Sequence, residues 1–244
     1  MVRILRFLLL PATVSVLAAG CSTDELSLET MHTGKNAPGM VRASRNMLSP
    51  VYAPLAEHLV SELNLREKEG IGIDLGSGPG TLIVELCERT KLHWINADIN
   101  PDFFPHFFEQ AGNRGFGGRV SAMFADAQAL PFHDDYADVV VSRGSFPFWE
   151  DKTRGFREIY RVLKPGGVAY IGRGFSENLP VKTARAIRAK QGKMMKYDRA
   201  EKVEELRQIM NTLGIKTFRI HRPAPAGSED VNYGVWIEFY KSES

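Results

Sequence analysis

Apolar and polar positions along the chain divide it into strand and helix segments. Ile71 to Leu75 is a short apolar run ending in Gly-Ser-Gly-Pro-Gly, the pattern of a buried strand that enters a tight turn. Beyond the turn, Ile83, Leu86, Cys87 and Thr90 recur on one helical face, and Leu92 to Ala97 predicts a second strand. Asn100 followed by Pro101 predicts a helix start: the amide side chain accepts from a free backbone N–H, and proline there sacrifices no hydrogen bond. Phe103, Phe104, Phe107 and Phe108 repeat at i and i+4, which predicts a helix face packed on a sheet. Val120 to Ala125 and Val139 to Ser142 read as two more strands. Between Trp149 and Leu163, Phe156, Ile159, Tyr160 and Leu163 mark an amphipathic helix that Pro165-Gly166-Gly167 stops, and Val168 to Gly172 returns as a strand. Val203, Leu206, Met210 and Leu213 form a late helix, and Ile215 to His221 with Tyr233 to Tyr240 predict a closing hairpin.

Strands that alternate with helices are parallel and joined by crossovers, so the pattern predicts an α/β fold with a doubly wound, mostly parallel sheet and an antiparallel hairpin at its edge. Ahead of the first strand, Met40 to Leu65 carries Tyr52 and an apolar series with Leu55, Leu59 and Leu63, the pattern of a helical lid.

Composition narrows the function. Of 244 residues, 43% are apolar and 25% charged, which excludes wholesale disorder and collagen-like repeats. A net charge of +2 gives no whole-protein reason to expect nucleic acid as a partner. Residues 182 to 202 depart from that balance, with Lys182, Arg185, Arg188, Lys190, Lys193, Lys196, Arg199 and Lys202 against Asp198 and Glu201. The segment is either a contact for anionic lipid headgroups or an acidic substrate, or a solvated helix face. The two cysteines, Cys21 and Cys87, provide no disulfide framework, and six scattered histidines lack metal-ligand spacing, so no metal is assigned. Cys87, on an apolar face, reads as an inert core thiol.

The N-terminus has its own character. Arg3 and Arg6 precede an uncharged stretch from Phe7 to Ala19, too short to cross a bilayer as a helix but of the form of an export signal. Leu17 to Ser22 resembles the lipobox of bacterial lipoproteins, in which Cys21 would be lipidated, although Ala18 stands where that family prefers Leu. Such processing would anchor the protein at a membrane, whereas a start at Met31 or Met40 would leave it cytoplasmic. The expected organisation is a signal-like segment 1–21, a linker 22–37, and one domain over 38–244. Its core is 70–175, and its lid segments are 40–65 and 181–213.

In open α/β sheets, ligands bind at the carboxyl ends of the strands, where Asp74-Leu75-Gly76-Ser77-Gly78-Pro79-Gly80 sits. A phosphate-gripping P-loop would need Gly-Lys-Ser/Thr after four spacer residues, which is absent, and a dinucleotide turn would need glycine or alanine where Thr81 stands. The D-x-G-x-G-x-G form resembles the nucleoside-binding turn of class I S-adenosylmethionine-dependent methyltransferases. The resemblance continues in register. Asp98 falls 22 positions after Gly76, Asp126-Ala127 follows the third strand, and Leu130-Pro131-Phe132 leads toward the fourth. Arg157 to Gly167 then matches the helix-and-turn before the fifth. Together these signals cover about residues 70 to 175 and are similar to the small-molecule, type 11-like members.

The resemblance implies a Rossmann-like seven-stranded sheet and S-adenosylmethionine as cofactor. It implies that Asp74, Gly76, Ser77, Gly78 and Gly80 form the cofactor turn, that Asp98 holds the ribose, and that Ile99 packs on adenine. Asp126 and Ala127 would read the adenine amino group, the backbone around Ser142 and Arg143 would meet the methionine end, and Tyr52 would close over the cofactor. Arg143 faces either an acidic acceptor or the cofactor carboxylate. The Asn/Asp-Pro-Pro-Tyr/Phe signature of amino- and base-methylating members is absent, and Phe146, Phe148 and Trp149 suggest an apolar or small polarizable acceptor. No catalytic base is identifiable. The expected activity is methyl transfer to a small molecule. A lipid-anchored module that binds the cofactor without catalysis and an NAD-dependent oxidoreductase are the alternatives.

Overall fold

A computed structural model describes residues 37–191 and 198–243. The signal-like segment with Cys21, the linker up to residue 36, and Lys193 and Lys196 of the basic segment lie outside the described residues. Seven strands form one sheet in the order β3-β2-β1-β4-β5-β7-β6. They are β1 (Ile71–Leu75), β2 (His93–Asp98), β3 (Val120–Phe124), β4 (Ala137–Arg143), β5 (Leu163–Gly174), β6 (Phe218–His221) and β7 (Gly234–Tyr240). The first five are parallel, and β7 lies antiparallel between β5 and β6. This is the doubly wound sheet and closing hairpin that the sequence predicts.

Helices cover both faces because the central strands alternate apolar side chains above and below the sheet. On one face, Val139, Val141, Tyr170 and Trp236 pack with α2 (Ser49–Glu62), α3 (Thr81–Cys87) and α4 (Phe104–Asn113). On the other, Ile73, Val140, Ile171 and Ile237 pack with α5 (Lys152–Val162) and α7 (Arg199–Leu213). Two helices lie outside these layers, α1 (Ala37–Arg45) and α6 (Val181–Gln191).

Four local expectations change. The segment 40–65 divides: Met40 of α1 lines the cleft at the carboxyl end of the sheet, whereas Leu55 and Leu59 of α2 are fully buried in the core with α3. Thr90 lies beyond the end of α3, where its hydroxyl donates to the Leu86 carbonyl and accepts from the Trp94 indole. Phe107 is buried in the sheet core as expected, but Phe103 packs on α1, Phe104 is only half-buried and Phe108 is 47% exposed, because α4 presents one narrow edge to the core. The helix before β5 ends at Val162, ahead of the proline, and Pro165-Gly166-Gly167 forms an irregularity inside β5.

No helix occupies the connection between β3 and β4. Residues 125–136 cross as a loop, and Arg161 secures it by donating to the Leu130 and Phe132 carbonyls and pairing with Asp134 and Glu158. Leu130 and Phe132 then supply the apolar cover that a helix would otherwise give. In the basic segment, Arg185 pairs with Asp230, Arg188 donates to the Asn232 carbonyl, and Lys202 pairs with Glu201 and Glu205. These contacts fasten Arg185, Arg188 and Lys202 to the fold.

Gly80 is fixed by both conformation and space. Its φ of 76° is left-handed, and a Cβ there would collide with the Phe107 ring. Gly80→Ala is therefore expected to cost about 2 to 5 kcal/mol, combining left-handed strain with overpacking. A lower urea midpoint at unchanged slope is the measurement that checks it.

Candidate functional site

Strand order reverses between β1 and β4, and at such a point the loops leaving neighbouring strands part to open a crevice. A cleft of about 710 Å³ lies there, well within the range of small-molecule sites. Its floor is the turn after β1, with Gly76 and Gly78. One side comes from the ends of β2 and β3, with Asp98, Ile99, Asp126, Ala127 and Gln128. The other follows β4, with Arg143, Gly144, Ser145, Pro147, Phe148, Trp149 and Glu150. Ala37 and Met40 of α1 and Phe103 complete it.

The turn is held by three groups from two elements, β2 and α4. The Gly78 N–H donates to the Asp98 carboxylate (2.7 Å), the Asn96 side chain donates to the Gly78 carbonyl (2.9 Å), and Gln110 donates to the Pro79 carbonyl (2.9 Å). Gly78 itself has φ 57°, and a Cβ there would meet nothing within 4 Å: the space beside it belongs to the cleft. Asp98 also accepts from the Asn100 N–H at 2.8 Å. Burial nevertheless holds its carboxyl above the ordinary range. A hydroxyl donor arriving from the cleft would favour the charged form of this carboxylate. Ile99 is 53% exposed at the rim, an apolar surface without a protein partner of matching size.

Seven predicted positions therefore line the cleft: Gly76, Gly78, Asp98, Ile99, Asp126, Ala127 and Arg143. Five do not. Asp74 lies behind the turn, buried, accepting from the Ser77 hydroxyl at 2.7 Å, so these two residues brace the turn from beneath. Gly80 is occupied by the start of α3 and the Phe107 ring. Ser142 is buried, and its hydroxyl donates to the Leu75 carbonyl at 2.7 Å, which fixes the end of β1. Tyr52 does not reach the cleft, because α2 is seated on α3; its ring lies under the Arg143 guanidinium at 5.4 Å. Phe146, expected beside Phe148 and Trp149, is instead fully buried, edge-on to Trp149 and Phe156. Asn96 and Gln110 were not singled out from the sequence. An amide inside an apolar strand, as Asn96 is, was the available signal.

The comparisons follow this geometry. Residues 73–171 match the family described as a methyltransferase domain. An Arabidopsis thaliana 2-methyl-6-phytyl-1,4-hydroquinone methyltransferase is 39% identical over 97 residues, covering 40% of this chain and 28% of that protein. The ubiquinone/menaquinone biosynthesis C-methyltransferase UbiE of Vibrio vulnificus is 36% identical over 97 residues, 39% of this chain and 37% of that one. This chain thus spans about a third of the length of these curated relatives. Among solved structures, a proposed S-adenosyl-L-methionine-dependent methyltransferase from Methanococcus maripaludis superposes with a TM-score of 0.76 at 28% identity, covering 92% of this chain and 99% of that one. Residues 73–171 thus resemble a methyltransferase domain.

The cleft of this domain fits a nucleoside with a charged arm. Asp98 offers a buried acceptor beside open space, Ile99 an apolar face, and Asp126 with Ala127 a polar edge at the same rim. On the opposite side Arg143 is the one cation among the described lining residues. In a separate cluster, Glu62, His221 and Glu238 approach within 4.8 Å of one another, and Arg219 pairs with both carboxylates. Burial alone would raise Glu238, but hydrogen bonds from His221, Arg219 and Tyr240 outweigh it and hold the carboxyl at about 2.

Two outcomes are expected. Gly78→Ala should leave a folded domain, at a strain cost of about 1 to 2 kcal/mol, yet lose nucleoside binding, because the new methyl enters the ligand's space; calorimetric titration checks this. Burial pushes Asp74 up to about 7, against 3.8 when exposed. The fold thus binds more protons than the unfolded chain across that window, and stability falls as pH rises through it. Asp74→Asn should flatten the dependence of the urea midpoint on pH there, leaving the same-signed contribution of Asp98.

Proposed function

We propose that this chain transfers a methyl group from S-adenosylmethionine to an uncharged, apolar small molecule and releases S-adenosylhomocysteine. The observation that carries the reading is the convergence of Asp98, Ile99, Asp126 and Ala127 on open space beside the glycine turn. When bound, S-adenosylmethionine supplies a methyl already activated by its positively charged sulfur. Asp98 would accept the ribose hydroxyls, Ile99 would pack on adenine, and Asp126 with Ala127 would face its amino edge. The task left to the protein is alignment and exclusion of water. Met40, Phe103, Pro147, Phe148 and Trp149 supply an apolar wall for both, and aromatic faces favour a neighbouring cation. The Arabidopsis relative is named for a hydroquinone and the Vibrio one for quinone biosynthesis, which supports a planar ring as the acceptor.

The place of the reaction depends on the N-terminus. Processing at Cys21 would hold the domain at a membrane surface and bring it to lipid-soluble acceptors, whereas a start at Met31 or Met40 would leave it in the cytoplasm. Mass spectrometry of the native N-terminus separates these.

Calorimetric titration with S-adenosylhomocysteine should show one site. Asp98→Asn should weaken it by about tenfold to a hundredfold, as expected for a lost hydrogen bond to a charged acceptor. Radiolabelled methyl transfer to a panel of hydroquinones, phenols and thiols then tests turnover. Binding without transfer to any of them would favour a cofactor-binding module over an enzyme.

A further inference from the structure

Arg143 is anchored in an unusual way. It ends β4, lines the cleft, and has its guanidinium over the Tyr52 ring at 5.4 Å, with no carboxylate within ion-pair distance among the described residues. Its Nε–H is buried and has no hydrogen-bond partner. A buried donor of this kind costs free energy unless a ligand satisfies it. The backbone offers an anion little competition at this end of the cleft. The Gly76 N–H donates to the Ala97 carbonyl (2.7 Å), that of Gly80 to the Ser77 carbonyl (3.2 Å), and that of Gly144 to the Gly172 carbonyl (2.7 Å). With the Gly78 N–H held by Asp98, none of the four glycine amides is open to a ligand.

We infer that Arg143 binds the carboxylate of the cofactor's amino-acid arm and that Tyr52 is its positioning residue, holding the guanidinium toward the cleft through a cation–π contact. This deepens the reading of the cleft as an S-adenosylmethionine site and rests on it. A planar guanidinium suits a carboxylate because two of its N–H groups meet both oxygens at once. The assignment also restricts the acceptor. Once Arg143 is engaged, the remaining charged lining residues are Asp98, Asp126 and Glu150, so the protein offers an anionic acceptor repulsion and no cation of its own. This agrees with the uncharged acceptor proposed above.

Two nucleosides separate this arm from the rest of the site: S-adenosylhomocysteine, which carries the carboxylate, and 5′-methylthioadenosine, which lacks the amino-acid arm. In calorimetric titrations, Arg143→Gln should weaken S-adenosylhomocysteine about tenfold to a hundredfold and leave methylthioadenosine within about twofold of wild type. Retained binding of the second ligand also shows that the variant folds. Tyr52→Leu should weaken S-adenosylhomocysteine about threefold to tenfold, and Tyr52→Phe, which keeps the ring, should restore it. Equal loss for both nucleosides would make Arg143 structural and overturn the assignment. No loss for either would move its carboxylate partner to the acceptor and overturn it as well. Wild-type protein that bound neither nucleoside would instead remove the methyl-transfer reading on which the assignment rests.

Discussion

The buried carboxylate of Asp98 is the interaction on which the site depends. It terminates β2, takes the Gly78 N–H from the turn after β1, and takes the Asn100 N–H from the loop that starts the next connection. Those two bonds tie together the loops leaving β1 and β2, which form the floor and one side of the cleft. The carboxylate remains at the cleft wall with acceptor capacity to spare, since a carboxylate has about four lone-pair sites. One group thus sets the shape of the site and presents its central polar contact.

Around that group, bracing is divided between the two faces of the sheet. Asn96 and Gln110 restrain the outer carbonyls of the glycine turn, while Ser142 and Ser145 both donate to the Leu75 carbonyl where the turn begins. Asp74 and Ser77 close it from beneath. A turn held at so many points is preorganised, so little conformational entropy remains to be lost when a ligand binds. The far side is held differently, by the edge-on aromatic packing of Phe146, Trp149 and Phe156, which fixes the residues after β4 through apolar contact. The polar half would position the ligand, and the aromatic half would exclude water from it.

Much of this could be read along the chain, for identifiable reasons. The β1, β2 and β4 segments are short apolar runs bounded by turn residues, so periodicity alone located them. Asp98 and Asp126 were found through the resemblance, by their register after Gly76 and after the third strand. Tyr52 and Ser142 were misplaced for a shared reason. Their roles depend on which neighbour an adjacent element brings: Tyr52 is held off the cleft by the seating of α2 on α3, and Ser142 is turned onto β1 by parallel pairing. The end of α5 was placed too late because Pro165 is a strong stop, whereas the pairing of Leu163 with Ala137 begins the strand before it.

Local sequence by itself determined the order of strands and helices, the glycine turn, and the identity of the acids at the strand ends, because backbone conformation and amphipathic period are properties of a few neighbouring residues. Only the tertiary structure decided which of those residues face open space. Asp74 and Asp98 look alike in sequence, each an acid near the end of an apolar strand. They part because Asp74 sits before the last residue of β1 and points into the packed interior with Ser77, while Asp98 ends β2 and reaches the crevice. Exposure to a cleft depends on every element that surrounds a side chain, and no local pattern carries that information.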